Sequence, residues 1–205
     1  MSKTRKEKWE KKYRKGNHHT EEEPSPLLLQ WLESLPSGKA LDVGCGAGRN
    51  SLFLADQGYE VDAIDFSEEA IKRGKSRAQD LGLEINWIQA DVNKYEFPSE
   101  KYDLIIVTFF HPRGMLSEIK KSLKNDGFFL YEHHLSVEDE IVRGPKSDKF
   151  RYEPNELLKL FSDFQVLYYR EGILGRETDE KSAIVKMVAR KAFNFRKSLP
   201  NFTEH

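Results

Sequence analysis

The chain has 205 residues, a 38% hydrophobic share and a formal net charge of −1, so it suits one domain with extra segments at its ends and is no magnet for nucleic acid. Its single cysteine, Cys45, excludes an internal disulfide. With no apolar signal core and no apolar run near the ~20 residues that span a bilayer, a soluble, cytoplasmic protein with no membrane partner is expected.

The first 26 residues, "MSKTRKEKWEKKYRKGNHHTEEEPSP", read as a charged arm, basic at first and acidic at "EEE". It is either a solvated arm or a helix whose Trp9 and Tyr13 share one face and need something to cover. The main domain is expected over 27–193, with a tail over 194–205.

"LLLQWLESLPSG" predicts a short helix ending at Pro36-Ser37-Gly38. "KALDVG" reads as a buried strand, and "RNSLFLADQG" as a helix closed by Gly58. "YEVDAID" is a second strand. "SEEAIKRGKSRAQDLG" is a helix with Ser67 as N-cap and two acids in its first turn. "LEINWIQAD" is a third strand and "YDLIIVTFF" a fourth, buried on both faces. "RGMLSEIKKSLKNDG" predicts a helix, "FFLYEHH" a fifth strand, and "EPNELLKLF" a helix with Pro154 near its start. "FQVLYYRE" and "KSAIVKMVAR" follow with no helix between them and should pair as a hairpin. The expected fold is α/β, a doubly wound and mostly parallel sheet of seven strands with one antiparallel member.

"ALDVGCGAGRN" places Gly44, Gly46 and Gly48 directly after the first strand, at the edge where such sheets bind ligands. Missing side chains let a ligand lie against bare backbone, and the following helix offers N–H groups to an anion. Dinucleotides usually require G-x-G-x-x-G, whereas this turn spells G-x-G-x-G behind Asp42, whose carboxylate repels a pyrophosphate. A zwitterionic methionine moiety suits that acid better, which points to S-adenosylmethionine. Asp65, at the end of the second strand, can accept from both ribose hydroxyls, unless it only caps the next helix. Asp91, at the end of the third, can accept from an adenine amine while Val92 adds backbone and apolar contact, unless it is ordinary turn chemistry.

"LDVGCGAGRN", "VDAIDFSEEAI", "IQADV" and "YDLIIVTFF" resemble, in order and spacing, the class I S-adenosylmethionine-dependent methyltransferases. "GCGAGRNSLFLADQGYEV", "EPNELLKLFSDFQVLYYREG" and "VKMVARK" are similar to the tellurite-resistance branch, itself related to thiopurine methyltransferase-like enzymes. The resemblance implies a seven-stranded sheet with the last strand antiparallel. It also implies cofactor contacts at Gly44, Asp65, Asp91 and Val92, with Asn50, Phe66 and Thr108 as neighbours. "WEKKYRKG" is similar to an N-terminal helix that covers the cofactor in many relatives.

After the fourth strand, "TFFHP" stands where base-modifying relatives carry an acidic or Asn-Pro-Pro-aromatic motif, which argues against amide or adenine nitrogen as acceptor. It offers Phe109 and Phe110 as aromatic walls for a sulfonium and His111 as a base or positioning group, unless that histidine only caps the next helix. The expected acceptor is a small molecule, a soft thiol or chalcogen that needs little base once ionised. His133 and His134 end the fifth strand at the same edge, and only one can face the cleft; the spacing of the three histidines matches no standard metal site. Arg143, Lys146, Lys149, Arg151 and Arg176 form either a positive rim around the substrate mouth or a solvated loop. Competing readings are an RNA or protein methyltransferase using the basic arm, a non-catalytic cofactor-binding subunit, and a dehydrogenase.

Overall fold

The computed structural model describes residues 7, 10, 11, 23–112, 114–138, 144–174 and 181–192. Trp9, Tyr13, Arg143, Arg176 and the tail over 194–205 lie outside the described residues.

Seven strands form one sheet: β1 (Lys39–Val43), β2 (Glu60–Asp65), β3 (Ile85–Gln89), β4 (Tyr102–Thr108), β5 (Leu123–His134), β6 (Gln165–Leu174) and β7 (Ser182–Arg190). They lie in the order β3-β2-β1-β4-β5-β7-β6, and β7 alone runs antiparallel, against both β5 and β6. The chain steps outward from β1 to β3, then crosses back to place β4 on the other side of β1. That reversal opens a crevice at the carboxyl ends of β1 and β4.

Helices α1 (Pro26–Trp31), α2 (Arg49–Asp56), α3 (Glu68–Leu81), α4 (Leu116–Lys121) and α5 (Glu156–Leu160) cover the sheet. Side chains alternate along each strand, so β4 feeds two cores. Leu104 and Ile106 pack with Leu27, Leu28 and Leu54 under α1 and α2. Ile105 and Val107 pack with Ile119, Phe129 and Phe161 under α4 and α5. Helix α3 is bounded as its sequence requires: the Ser67 hydroxyl accepts from the Ala70 N–H at 3.2 Å, and Gly82 closes the far end at φ 67°. No helix among the described residues is long and apolar enough to cross a membrane.

Two boundaries differ from the sequence pattern. Helix α4 stops at Lys121 instead of running on to Gly127, because β5 already begins at Leu123, fully buried and paired with Tyr102. Asp126 turns left-handed at φ 63°, its N–H donating to the Lys191 carbonyl and its carboxylate accepting from Arg190 at 2.8 Å. These sheet-edge partners outcompete a helix whose apolar spacing is otherwise regular. Strand β4 ends at Thr108, because Phe109 turns left-handed at φ 52°.

The indole of Trp87, on the edge strand β3, lies over two glycines at once. A Cβ built on Gly48 or on Gly74 would stand 2.3 Å from its Cη2. Alanine in place of a helical glycine normally stabilises by about 0.5–1 kcal/mol. Here Gly74→Ala is expected to cost about 1–3 kcal/mol by displacing the indole, and to become stabilising in a Trp87→Ala background. Urea denaturation of the four proteins checks the reversal of sign.

Candidate active site

Asp42 enters the crevice from β1 beneath the glycine turn and is 1% exposed. Its Oδ2 accepts from the Ser51 hydroxyl on α2 at 2.6 Å, while Oδ1 is buried with no hydrogen-bond partner. Burial, opposed by the Ser51 bond and the Arg49 charge, pushes its pKa up to about 6. A buried carboxylate with one idle oxygen is costly, and a cation placed against it would offset that cost.

Gly44, Gly46 and Gly48 have φ of 72°, 58° and 79°, a conformation that side chains resist. The Gly44 and Cys45 N–H groups both donate to the Ile64 carbonyl, tying the turn to β2. The space a Cβ would take is not left for a ligand at two of the three. Phe110 fills it at Gly44 and Trp87 at Gly48, so aromatic packing from the corner after β4 and from β3 also demands those glycines. Cys45 is no thiolate nucleophile: burial, then Asp42 and Asp65, push its thiol well above the ordinary range.

Asp65 closes β2 and is buried, its Oδ2 accepting from Gly46 N–H at 3.0 Å and its Oδ1 from Ser67 N–H at 2.8 Å. Burial raises its pKa against these bonds and one from the half-buried Phe66 N–H. It therefore braces the turn and the start of α3 together. Asp62, three residues earlier, instead braces the opposite end of the sheet, binding Lys101, Tyr102 and Asn86 at 2.7–2.8 Å. Asp91 caps the 3₁₀ turn Val92–Lys94 by accepting from the Asn93 N–H at 3.1 Å, and Val92 is buried. From the arm, Glu10 accepts from the Glu68 N–H at 2.9 Å, at the start of α3 and near Asp65.

Asn50 is buried, and its amide is engaged within the protein. Oδ1 accepts from Ser25 N–H at 2.8 Å and Nδ2 donates to Thr108 Oγ1 at 3.0 Å. Ser25 in turn donates to Glu132 at 2.7 Å, and Glu132 faces Lys186 at 3.4 Å. Asn50 and Thr108 thus belong to a buried chain joining α1, α2, β4, β5 and β7. Ser25 and Glu132 escape a reading by motif, although a lone acid in "FFLYEHH" is itself a signal of a buried polar partner.

On the opposite face of β4 and β5, the "TFFHP" corner is held by three contacts. The Phe109 N–H donates to the Glu132 carbonyl at 2.8 Å, and the Tyr131 hydroxyl donates to the Phe110 carbonyl at 3.1 Å. His111 stacks on Tyr152 at 4.6 Å between ring centres and lies 5.2 Å from His133. His134 packs on Phe109 at 5.1 Å between ring centres and lies edge-on to His133 at 5.6 Å. Arg151 is no part of a positive rim. It is buried and donates to the Pro145 and Leu135 carbonyls at 2.9 Å each, clamping the loop, while Lys146 and Lys149 are exposed.

Residues 40–127 match the family described as a methyltransferase domain. That stretch is a methyltransferase domain. It is 33% identical over 158 residues to the probable S-adenosyl-L-methionine-dependent methyltransferase TehB of Haemophilus influenzae, covering 73% of this chain and 54% of TehB. An uncharacterized methyltransferase of Bacillus subtilis, YcgJ, is 28% identical over 63% of this chain and 54% of its own. The chain therefore spans about half the length of the curated relatives it matches. The crystal structure of Haemophilus influenzae TehB superposes with a TM-score of 0.71 at 28% identity, over 89% of this chain and 67% of that one.

The methyltransferase domain implies S-adenosyl-L-methionine as cofactor, and the donor set fits it. The idle Oδ1 of Asp42 offers the methionine ammonium an anionic partner where a pyrophosphate would be repelled. Among the described residues no group of three metal-ligating side chains gathers.

The raised pKa of Asp42 fixes the sign of a stability effect. Protonation stabilises the ligand-free fold fully below about pH 4, and that stability, on the order of 3 kcal/mol, is lost as pH rises through about 6. Asp42→Asn mimics the protonated form. It should therefore melt above the unsubstituted protein at pH 8 and with it at pH 4, while binding S-adenosylhomocysteine at least about tenfold more weakly. Melting at the two pH values and calorimetric titration check both halves.

Proposed function

We propose that this protein is an S-adenosyl-L-methionine-dependent methyltransferase acting on a small, soft acceptor, a thiol or chalcogen. When bound, the cofactor supplies a methyl group on a sulfonium centre. Asp42 takes the ammonium end, with the backbone of Gly44 and Gly46 beneath it. Asp65 and Phe66 meet the ribose, and Asp91 with Val92 meets the adenine. Asn50 and Thr108 act from behind, fixing the start of α2 to the end of β4. Glu10, seated at the start of α3 near Asp65, stands on the ribose side.

The observation that carries the acceptor class is the aromatic corner. Phe109, Phe110 and His111 are half-buried at the corner, His111 is stacked on the buried Tyr152, and His111 is the titratable group among the three. Ring faces favour a sulfonium and shed water, so nucleophile and methyl group can be held in line. An amide nitrogen needs hydrogen-bond acceptors to orient its lone pair, whereas an acidic thiol needs a single base. His111 accepts that proton. The resemblance to the tellurite-resistance branch supports the same class.

A turnover screen over small thiols, selenite and tellurite tests this. His111→Ala should lower turnover of the active acceptor at least about tenfold and leave S-adenosylhomocysteine affinity unchanged. Full turnover in that variant removes His111 from the mechanism.

A further inference from the structure

His133 is 3% exposed on β5, and its Nε2 lies 3.0 Å from the carbonyl oxygen of Phe150. A carbonyl can only accept, so Nε2 must carry the hydrogen and Nδ1 must present a lone pair. That Nδ1 is buried with no hydrogen-bond partner. An acceptor left unmade in a protein interior is costly, so it asks for a donor that arrives during function.

The neighbours narrow the choice of donor. Tyr131 donates its hydroxyl hydrogen to the Phe110 carbonyl, so in the 2.7 Å Tyr131–Tyr152 contact Tyr152 is the donor. Both phenolic hydrogens are thereby committed. His134 stands 5.6 Å from His133 between ring centres but packs closer on Phe109, at 5.1 Å. His111 remains, with its ring centre 5.2 Å from that of His133 and its Nε2 buried.

Resting on the reading of His111 as the acceptor's base, we propose that His133 is its positioning residue. The Nδ1 lone pair of His133 receives the inner N–H of His111 as that ring becomes charged. The balance is simple. The acceptor's X–H bond breaks, its electron pair stays on X, and the proton moves to His111. His133 keeps its own Nε2 hydrogen on the Phe150 carbonyl throughout, and His111 later returns the proton to water. This arrangement needs a partner that stays neutral. Burial first, then the charges of His111, His134 and Arg151, hold His133 down to about 3, against the bond to Phe150. The Arg151 clamp gives the loop its part, since it fixes the stretch that delivers the Phe150 carbonyl.

Nitrogen-15 NMR of histidine-labelled full chain tests this without any acceptor. His133 is expected as the neutral Nε2–H tautomer from pH 5 to 8. In His133→Phe, which keeps a ring there, the His111 titration midpoint should fall by at least about half a pH unit, because the imidazolium loses its acceptor. With a thiol that is turned over, the acid limb of the kcat profile should move the same way, with cofactor affinity unchanged. His133 titrating in that range, the Nδ1–H tautomer, or an unmoved His111 midpoint each overturns the proposal. Failure of the underlying base reading shows separately, as full turnover in His111→Ala while the His133 tautomer stands.

Discussion

A carboxylate buried beneath a glycine turn, with one oxygen idle, is the constraint on which the rest of this structure depends. Asp42 sits where β1 ends, between the fully buried Leu41 and Val43, and the fold carries the cost of desolvating it. Ser51 satisfies one oxygen, so the second is available only to something that comes from outside. On the proposed reading a bound ammonium offsets that cost, and the ligand-free protein gains stability on binding. A neutral residue here would make a more stable fold and a poorer site.

The surroundings serve to hold that carboxylate and its turn in place. Asp65 ties Gly46 to the start of α3, and the Ile64 carbonyl ties Gly44 and Cys45 to β2. From the other flank, the chain from Asn50 through Ser25 to Glu132 and Lys186 fixes α2 against β4, β5 and β7. The crossover from β1 to β4 brings the two flanks together, and on the proposed reading the first meets the charged cofactor groups and the second the acceptor. The two regions meet where Phe110 packs on Gly44.

Much of this was legible in the sequence because it is local. Strand–helix alternation, the glycine turn and an acid at each of three successive strand ends are all spaced by the fold's own repeat. The absence of a helix between the last two strands implied the hairpin and its antiparallel member. What escaped involves partners far apart in the chain. Ser25 meets Glu132 across 107 positions, and nothing near either residue announces the other. Gly48 reads as a ligand-facing glycine until Trp87 is found lying on it. Arg151 reads as surface charge until two carbonyls are found around it. The stop of α4 is decided by Leu123 joining a strand, an outcome that helical spacing alone cannot reveal.

The central claim is that the buried acid at β1 is the ammonium partner of an S-adenosyl compound, and proton release on binding measures it directly. S-adenosylhomocysteine would be titrated at pH 6 and pH 7.5 in buffers of differing ionisation enthalpy. Since the carboxyl of Asp42 titrates at about 6, roughly half a proton should leave per ligand at the lower pH and almost none at the higher, with no release in Asp42→Asn. Saturable heat without proton release at pH 6 would contradict the account, as would saturation by a pyridine dinucleotide instead.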